Sequence, residues 1–450
     1  MDYSKHTLVN LIEICKEKGI KGYSGKKKED IIQLLSSIPP KRKAPQVARK
    51  QDRSSISLFS GAGGDSLGMK RVGYHVRAFS ENKKPAIATH VTAFPECDLL
   101  LDLETKSTDI IRLPDEIFQP YQGLEILFAG FPCQGFSHGG KKKIDDPRNE
   151  LVHQFVRAAN IIRPTYLIGE NVPGLLSRKG KDPLSNEIRP VIDIIRDLFA
   201  GIQYHITYHV LKATDAGVPQ ERKRLIIVGT RAEKGYPHMP WDHLAEPSSP
   251  KYDTVRPFLE SHLEGAIEFP PNHLPDHISP HYWIATTETQ SRGKPHPNLL
   301  RLAGGIRNRS TKEKEEDGDT SSLVVEGGLI SFGVRKSGYH GQILDPDKPS
   351  KTIICTYGVC PRLFVGLYNQ TENKYWVRCL SVKELAQIQG FPADYPWQGN
   401  EKEIITQIGN AVPPRLCEQV VLSLPQIVYK DTPQYTDASD DESDVSDEEM

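Results

Sequence analysis

From Ser55 onward the chain repeats one pattern: a short apolar run, a break, then a helical stretch. The runs are Ile56–Phe59, Val76–Phe79, Leu99–Leu101, Leu124–Ala129, Tyr166–Gly169, Ile206–Leu211 and Leu225–Val228. Helical spacing fills several of the gaps, as at Leu151–Ile162 and Val191–Phe199. Apolar runs this short suit buried strands, and strands alternating with helices predict a doubly wound α/β sheet. The pattern fades after Arg231. Residues 232–376 are rich in Pro, Gly and His, and KEKEEDGDTSS within them reads as a solvated loop. Helical spacing returns at Val382–Gln389 and Pro413–Leu424.

Composition narrows the class. The hydrophobic share of 37% is enough for a sizeable core, and 450 residues suggest two or three domains. No apolar run approaches a membrane span, and MDYSKHTLVN lacks the apolar centre of a secretory signal. Seven cysteines with no C-x-x-C pair argue against a disulfide framework and a cysteine zinc site. The expectation is an intracellular protein without a metal.

The formal charge of -1 hides an asymmetry. Residues 1–53 carry 13 Lys and Arg against 6 Asp and Glu, whereas residues 437–450 carry 8 acids and no Lys or Arg. A basic head suits a polyanion. The acidic tail reads as disordered. Residues 1–37 predict a small helical hairpin, with Leu8, Leu11, Ile12 and Cys15 on one helix and Ile31, Ile32, Leu34 and Leu35 on the other. A Pro- and Lys/Arg-rich linker, 38–53, follows.

Five motifs bear chemistry. SLFSGAGGDSLG (57–68) runs a strand into a glycine loop and then a helix. Small residues there admit a ligand close to the backbone. Alone it is equally a tight turn, because Ser66 stands where G-x-G-x-x-G needs its last glycine. Glu81 ends the next strand about 20 residues beyond the first glycine, where a carboxylate can accept from ribose hydroxyls. FAGFPCQGFSHGG (128–140) presents Cys133 at the carboxyl edge of a strand, after Pro132 and before a basic glycine loop with Lys141, Lys142, Lys143 and Arg148. Ligand sites in open α/β sheets lie along that edge, and nearby positive charge favours a nucleophilic thiolate. YLIGENVPGL (166–175) brings Glu170 to the same edge. QERKRLIIVG (220–229) places Arg222 and Arg224 before another strand, on one side if the strand begins there. QIGNAVPPRL (407–416) reads as a Gly-Asn turn entering a helix at Pro413 and Pro414.

In this order the blocks Phe-Ser-Gly-Ala-Gly-Gly, Gly-Phe-Pro-Cys-Gln, Glu-Asn-Val, Gln-x-Arg-x-Arg and Gly-Asn-Ala-Val-Pro resemble the DNA cytosine-5 methyltransferase family. RCLSVKELAQIQGFP (378–392) resembles a further family block that scaffolds target recognition. The resemblance implies a Rossmann-like methyltransferase sheet, Cys133 as nucleophile, Glu170 at cytosine N3 and amine, and Arg224, with Arg222 acting through it, at cytosine O2. It implies S-adenosylmethionine as methyl donor, held by Phe59, Gly61, Gly63, Gly64, Glu81 and Asp102, with Pro132, Asn410 and Val412 closing the pocket. Asn82 departs from the family, which often has an apolar or aromatic residue there to pack on adenine.

The implied division is a catalytic domain at 54–231, a target-recognition region at 232–376, a return to the catalytic domain at 377–430 and the tail at 431–450. Double-stranded DNA is the implied partner, bound by a monomer, with a cognate restriction endonuclease as a second. Residues 5–37 resemble the SAP motif, a helical hairpin associated with DNA binding, through Leu8, Leu11, Gly19, Gly22, Lys26, Lys27, Leu34 and Leu35. Two alternatives stand beside this reading. One is tRNA cytosine-5 methylation, whose usual Cys-Phe-Thr signature is absent. The other is an inactive DNA-binding scaffold, opposed by the presence of Cys133, Glu170 and both arginines.

Overall fold

The structure is a computed structural model. It describes residues 53–132, 151–182, 185–231, 239–269, 280–300 and 341–425, with residue 10 and residues 27–30, 324–325 and 329–330 besides. The predicted hairpin, linker and tail therefore lie almost wholly outside the described residues. So do Cys133 and the basic loop after it.

Seven strands form the main sheet: β1 (Ser54–Leu58), β2 (His75–Ser80), β3 (Asp98–Leu99), β4 (Ile126–Ala129), β5 (Tyr166–Asn171), β8 (Tyr204–Lys212) and β10 (Lys223–Arg231). Their spatial order is β3-β2-β1-β4-β5-β10-β8. The β1–β2, β2–β3, β1–β4 and β4–β5 pairings are parallel, while β10 runs antiparallel to both β5 and β8. The chain thus moves from β1 outward to β3 and then returns to β4 on the other side. That reversal opens a crevice at the carboxyl ends of β1 and β4.

All seven apolar runs are strands, and the doubly wound reading holds. The antiparallel strand has a local cause. Only residues 213–222 join β8 to β10, and among them is the short β9 (Gln220–Glu221) rather than a crossover helix. A parallel return needs about a dozen residues or more, usually with a helix.

Both faces are covered. Leu127 and Ala129 of β4 join the core formed with α3 (Leu151–Ile162) and α4 (Val191–Gly201), through Phe155, Ala159, Ile195 and Phe199. Ile126 and Phe128 point to the opposite core, which contains Met69 of α1 (Gly64–Arg71) and Leu416 and Val420 of α7 (Pro414–Leu422). The carboxyl-terminal helix therefore packs on the first one. Contact is close because Gly68 faces it: a Cβ there would lie 2.5 Å from the Pro414 carbonyl oxygen and 2.6 Å from Cys417 Cβ.

A second sheet, ordered β11-β18-β17-β15-β14-β13, contains β11 (Ile267–Phe269), β13 (Val324–Val325), β14 (Leu329–Ile330), β15 (Gly341–Ile343), β17 (Leu363–Asn369) and β18 (Lys374–Cys379), with β12 (Trp283–Ala285) paired to β17. Two small pairs stand apart, β6 (Lys179–Lys181) with β7 (Ile188–Pro190) and β16 (Ser350–Lys351) with β9. Two more helices follow it, α5 (Val382–Ile388) and α6 (Glu401–Asn410). The latter corrects the reading of Gly409-Asn410 as a turn: both end a helix opened by a capping box between Asn400 and Glu403. The Asn-x-x-Glu signal was present in the sequence.

Candidate active site

The crevice is lined first by the loop after β1. Phe59 has φ of 56°, an unusual backbone for a bulky residue and a mark of a constrained site. Its N–H donates to Ser80 Oγ at 3.1 Å, and Ser60 N–H donates to the Ser80 carbonyl at 3.0 Å. The glycines divide the work. A Cβ on Gly61 would meet nothing within 4 Å, so this part of the loop is open. A Cβ on Gly63 would collide with Phe94 and His90, and one on Gly64 with the Val412 carbonyl oxygen at 2.2 Å. Val412 is 8% exposed and thus backs the loop, whereas Asn410 is exposed.

Glu81 sits across from Gly61. Its Oε2 accepts from Gly61 N–H at 2.9 Å, and its Oε1 accepts from Asn82 and Lys83 N–H at 2.8 and 2.9 Å. A carboxylate has about four acceptor positions, so a further donor finds a partner here. Asp102 is half-buried. It accepts from the Thr105 hydroxyl and from Glu104 N–H, which together hold its pKa below the usual carboxylate value.

The sheet edge beyond β4 gathers the remaining groups. Pro132 is the last described residue before Cys133. The segment leading to it is anchored by Asn171, whose Nδ2 donates to the Phe131 carbonyl at 3.1 Å. Beside that anchor, Glu170 Oε1 lies 2.6 Å from Arg224 Nε, with side-chain exposures of 10% and 13%. The contact is an ion pair by distance, off the direction of a hydrogen bond. An ideal Cβ on Gly130 would lie 3.6 Å from the Phe59 carbonyl and 4.0 Å from Glu170 Oε2. The glycine loop, the approach to Cys133 and Glu170 therefore converge on one point.

Arg222 does not share the Arg224 position. The strand breaks between β9 and β10 at this residue, so the two side chains diverge. Arg222 is fully buried and donates to the carbonyls of Ile353 at 3.2 Å and of Gly409 and Ala411 at 3.0 Å. Burial, and then neighbouring Arg224, push its pKa down, and the three carbonyls offset that cost.

Sequence reasoning passed over two glutamines of the same junction. Gln220 Nε2 donates to Gln389 Oε1 at 2.6 Å, and Gln389 Nε2 donates to the Ala411 carbonyl at 2.7 Å. Both are fully buried, and they tie the Gln-x-Arg-x-Arg, Ile-Gln-Gly and Gly-Asn-Ala-Val blocks together. The Arg-Cys-Leu-Ser block acts similarly. Buried Arg378 donates to both Glu384 oxygens at 2.7 and 2.8 Å and to the His262 carbonyl at 3.0 Å.

Among the described residues one group has the proximity of a metal site: His281, Asp345 and Asp347, with ligand atoms within 4.8 Å. Arg256 makes a two-pronged contact to Asp347 at 2.6 and 2.8 Å, and Lys348 lies 3.2 Å from Asp345. Those cations already neutralise the carboxylates, so the group reads as an ion-pair cluster around the buried Asp345.

A seven-stranded doubly wound sheet with β10 reversed and a glycine loop at its crevice fits a Rossmann-like α/β methyltransferase fold. The family model for C-5 cytosine-specific DNA methylase matches residues 54–426. The Type II methyltransferase M1.HphI of Haemophilus parahaemolyticus is 32% identical over 377 residues, covering 81% of this chain and 84% of that one. M.XorII of Xanthomonas oryzae is 28% identical, with coverage of 81% and 82%. A prophage-encoded DNA modification methyltransferase structure from Escherichia coli superposes with a TM-score of 0.50 at 25% identity, over 82% of this chain and 98% of that one. A DNMT2 variant from Spodoptera frugiperda, at 16% identity and TM-score 0.51 over 83% and 99% of the two chains, shares the fold. The chain belongs to the C-5 cytosine-specific DNA methylase family and is a DNA cytosine-5 methyltransferase.

Proposed function

We propose that this enzyme methylates C5 of a cytosine swung out of duplex DNA, using S-adenosylmethionine and a transient bond from Cys133. The observation that carries the reading is the Glu170–Arg224 pair, 2.6 Å apart, at the sheet edge that leads into Pro132-Cys133. The donor fits the residues present. The loop is open at Gly61, Glu81 keeps acceptor capacity beside it, and Gly64 and Val412 wall it from below. Phe59, Gly61, Gly63, Gly64, Glu81 and Asp102 would hold the donor, with Pro132, Asn410 and Val412 around it. When bound, it supplies a methyl group on a positive sulfonium, ready for displacement by an electron-rich carbon.

The chain's residues make C5 such a carbon. The Cys133 thiolate adds to C6 and sends the electron pair toward N3 and C5. Glu170 donates a proton toward N3 and accepts from the exocyclic amine. Arg224 stabilises density at O2. After transfer, loss of the C5 proton to a water lets the C6–S bond break and returns the thiolate. Base extrusion costs about a few kcal/mol, and contacts from the loop 137–151 to phosphates would offset it.

Residues 232–376 would select the sequence, with the second sheet as their frame. The basic 5–37 segment would tether the enzyme to duplex in a salt-dependent way. The enzyme would act as a monomer, with a cognate restriction endonuclease as a candidate partner. Bisulfite sequencing of a co-expressed plasmid gives the target. DNA carrying 5-fluorocytosine at that target, with donor, should then trap the protein covalently, and Cys133→Ser should not be trapped. Absence of the adduct, or methyl transfer to tRNA alone, would overturn the reading.

A further inference from the structure

Beneath the glycine loop lies a polar cluster that no step above uses. Asp65, Ser57, Ser60, Ser66 and His90 are all buried, at 3%, 0%, 7%, 0% and 0% exposure. Asp65 accepts from the Ser57 hydroxyl on β1 and, at 3.5 Å, from the Ser60 hydroxyl in the loop. Ser60 Oγ also lies 3.4 Å from Ser66 Oγ, which lies 3.0 Å from His90 Nε2. The Ser60 carbonyl in turn accepts from Gly63 N–H at 2.9 Å. Ser66, at the position where a dinucleotide fingerprint has its third glycine, thus belongs to a hydrogen-bonded floor.

We propose that Asp65 is a positioning residue for the donor loop, its carboxylate clamping Ser57 and Ser60 so that the loop keeps the shape that receives S-adenosylmethionine. The proposal rests on the reading of that loop as the donor site. Both serines donate, which an ionised carboxylate satisfies fully. A protonated one must give up an acceptor position.

The surroundings make the clamp sensitive to pH. Burial pushes the Asp65 carboxyl up to about 6, against the lowering effect of the Ser57 hydroxyl. The groups that bear on it come from every packed element. They are Ser66 on its own helix, His90 on α2 (Lys84–Ala93), Cys97 after that helix, Glu170 on β5, Tyr395 before α6 and Cys417 on α7, whose Sγ lies 3.3 Å from the Asp65 carbonyl. Burial holds His90 neutral, down to about 3, and pushes the Tyr395 hydroxyl and both thiols up, so these remain uncharged near neutrality. Glu170 adds negative charge and opposes ionisation. The sign follows. A folded value above the unfolded 3.8 means the buried charge burdens the fold above pH 6, and the burden lifts as pH falls.

The test is calorimetric binding of S-adenosylmethionine and thermal melting, on the full chain and on Asp65→Asn and Ser57→Ala, from pH 5 to 8. Wild-type affinity should fall roughly tenfold toward pH 5, in line with loss of one charge-assisted hydrogen bond. Asp65→Asn should bind roughly tenfold more weakly than wild type at pH 8, with little dependence on pH, while melting at or above the wild-type temperature there. Ser57→Ala should weaken binding in the same direction. Wild-type affinity in Asp65→Asn, or weakening that tracks a lowered melting temperature, would overturn the proposal and leave the functional reading intact. Failure of wild type to bind the donor at any pH would sink both.

Discussion

Replacing Gly64 by alanine tests how the carboxyl-terminal return closes the site. The new Cβ would stand 2.2 Å from the Val412 carbonyl oxygen and 3.2 Å from the Phe391 ring. Carbon–oxygen contacts settle at about 3.3 Å or more, so helix α1 or the 409–412 segment must move by roughly 1 Å. Overpacking of this kind costs about 1–3 kcal/mol. The gain of alanine over glycine in a helix offsets at most about 1 kcal/mol of it. The net expectation is a destabilisation of about 1–2 kcal/mol by chemical denaturation. Activity should suffer more, because a displacement of about 1 Å in a reacting geometry can cost roughly 10²-fold in rate. Gly201→Ala is the control: a Cβ there meets nothing within 4 Å at the end of α4, so stability should hold or rise. Gly64→Ala with wild-type stability and wild-type transfer would mean that Val412 does not abut the glycine loop, and the closure described here would be wrong.

Two further expectations concern charged pairs. Arg378→Ala should cost about 3–5 kcal/mol in denaturant unfolding, because it strands the Glu384 carboxylate, which is fully buried; Arg378→Lys should recover little, since it loses the two-pronged geometry. Glu170→Gln should lower methyl transfer about 10²-fold or more with donor affinity unchanged, and a variant retaining a tenth of wild-type turnover would remove Glu170 from its assigned role.

The motifs were legible because each sits on a local rule. A strand that ends in small residues or at an ionisable group declares itself within a dozen positions, and the order of such ends defines the sheet. The Arg222–Arg224 pair shows where local rules stop. Strict alternation puts both on one side, yet the chain breaks between β9 and β10. Arg222 then turns to carbonyls of Ile353, Gly409 and Ala411, more than a hundred residues away. Asp65 is similar: in sequence it is an acid in a helix's first turn, a position that normally needs no further account.

By itself the sequence determined the strand–helix alternation, the crevice edge and the family, since these depend on periodicity and on short contiguous blocks. Tertiary structure alone decided that β10 reverses, that α7 lies on α1 at Gly68, that Glu170 meets Arg224, and that a carboxyl is buried beneath the glycine loop. Each of those depends on which distant backbone arrives at a given side chain, and burial and electrostatics act on proximity in space, which a linear order of residues does not record.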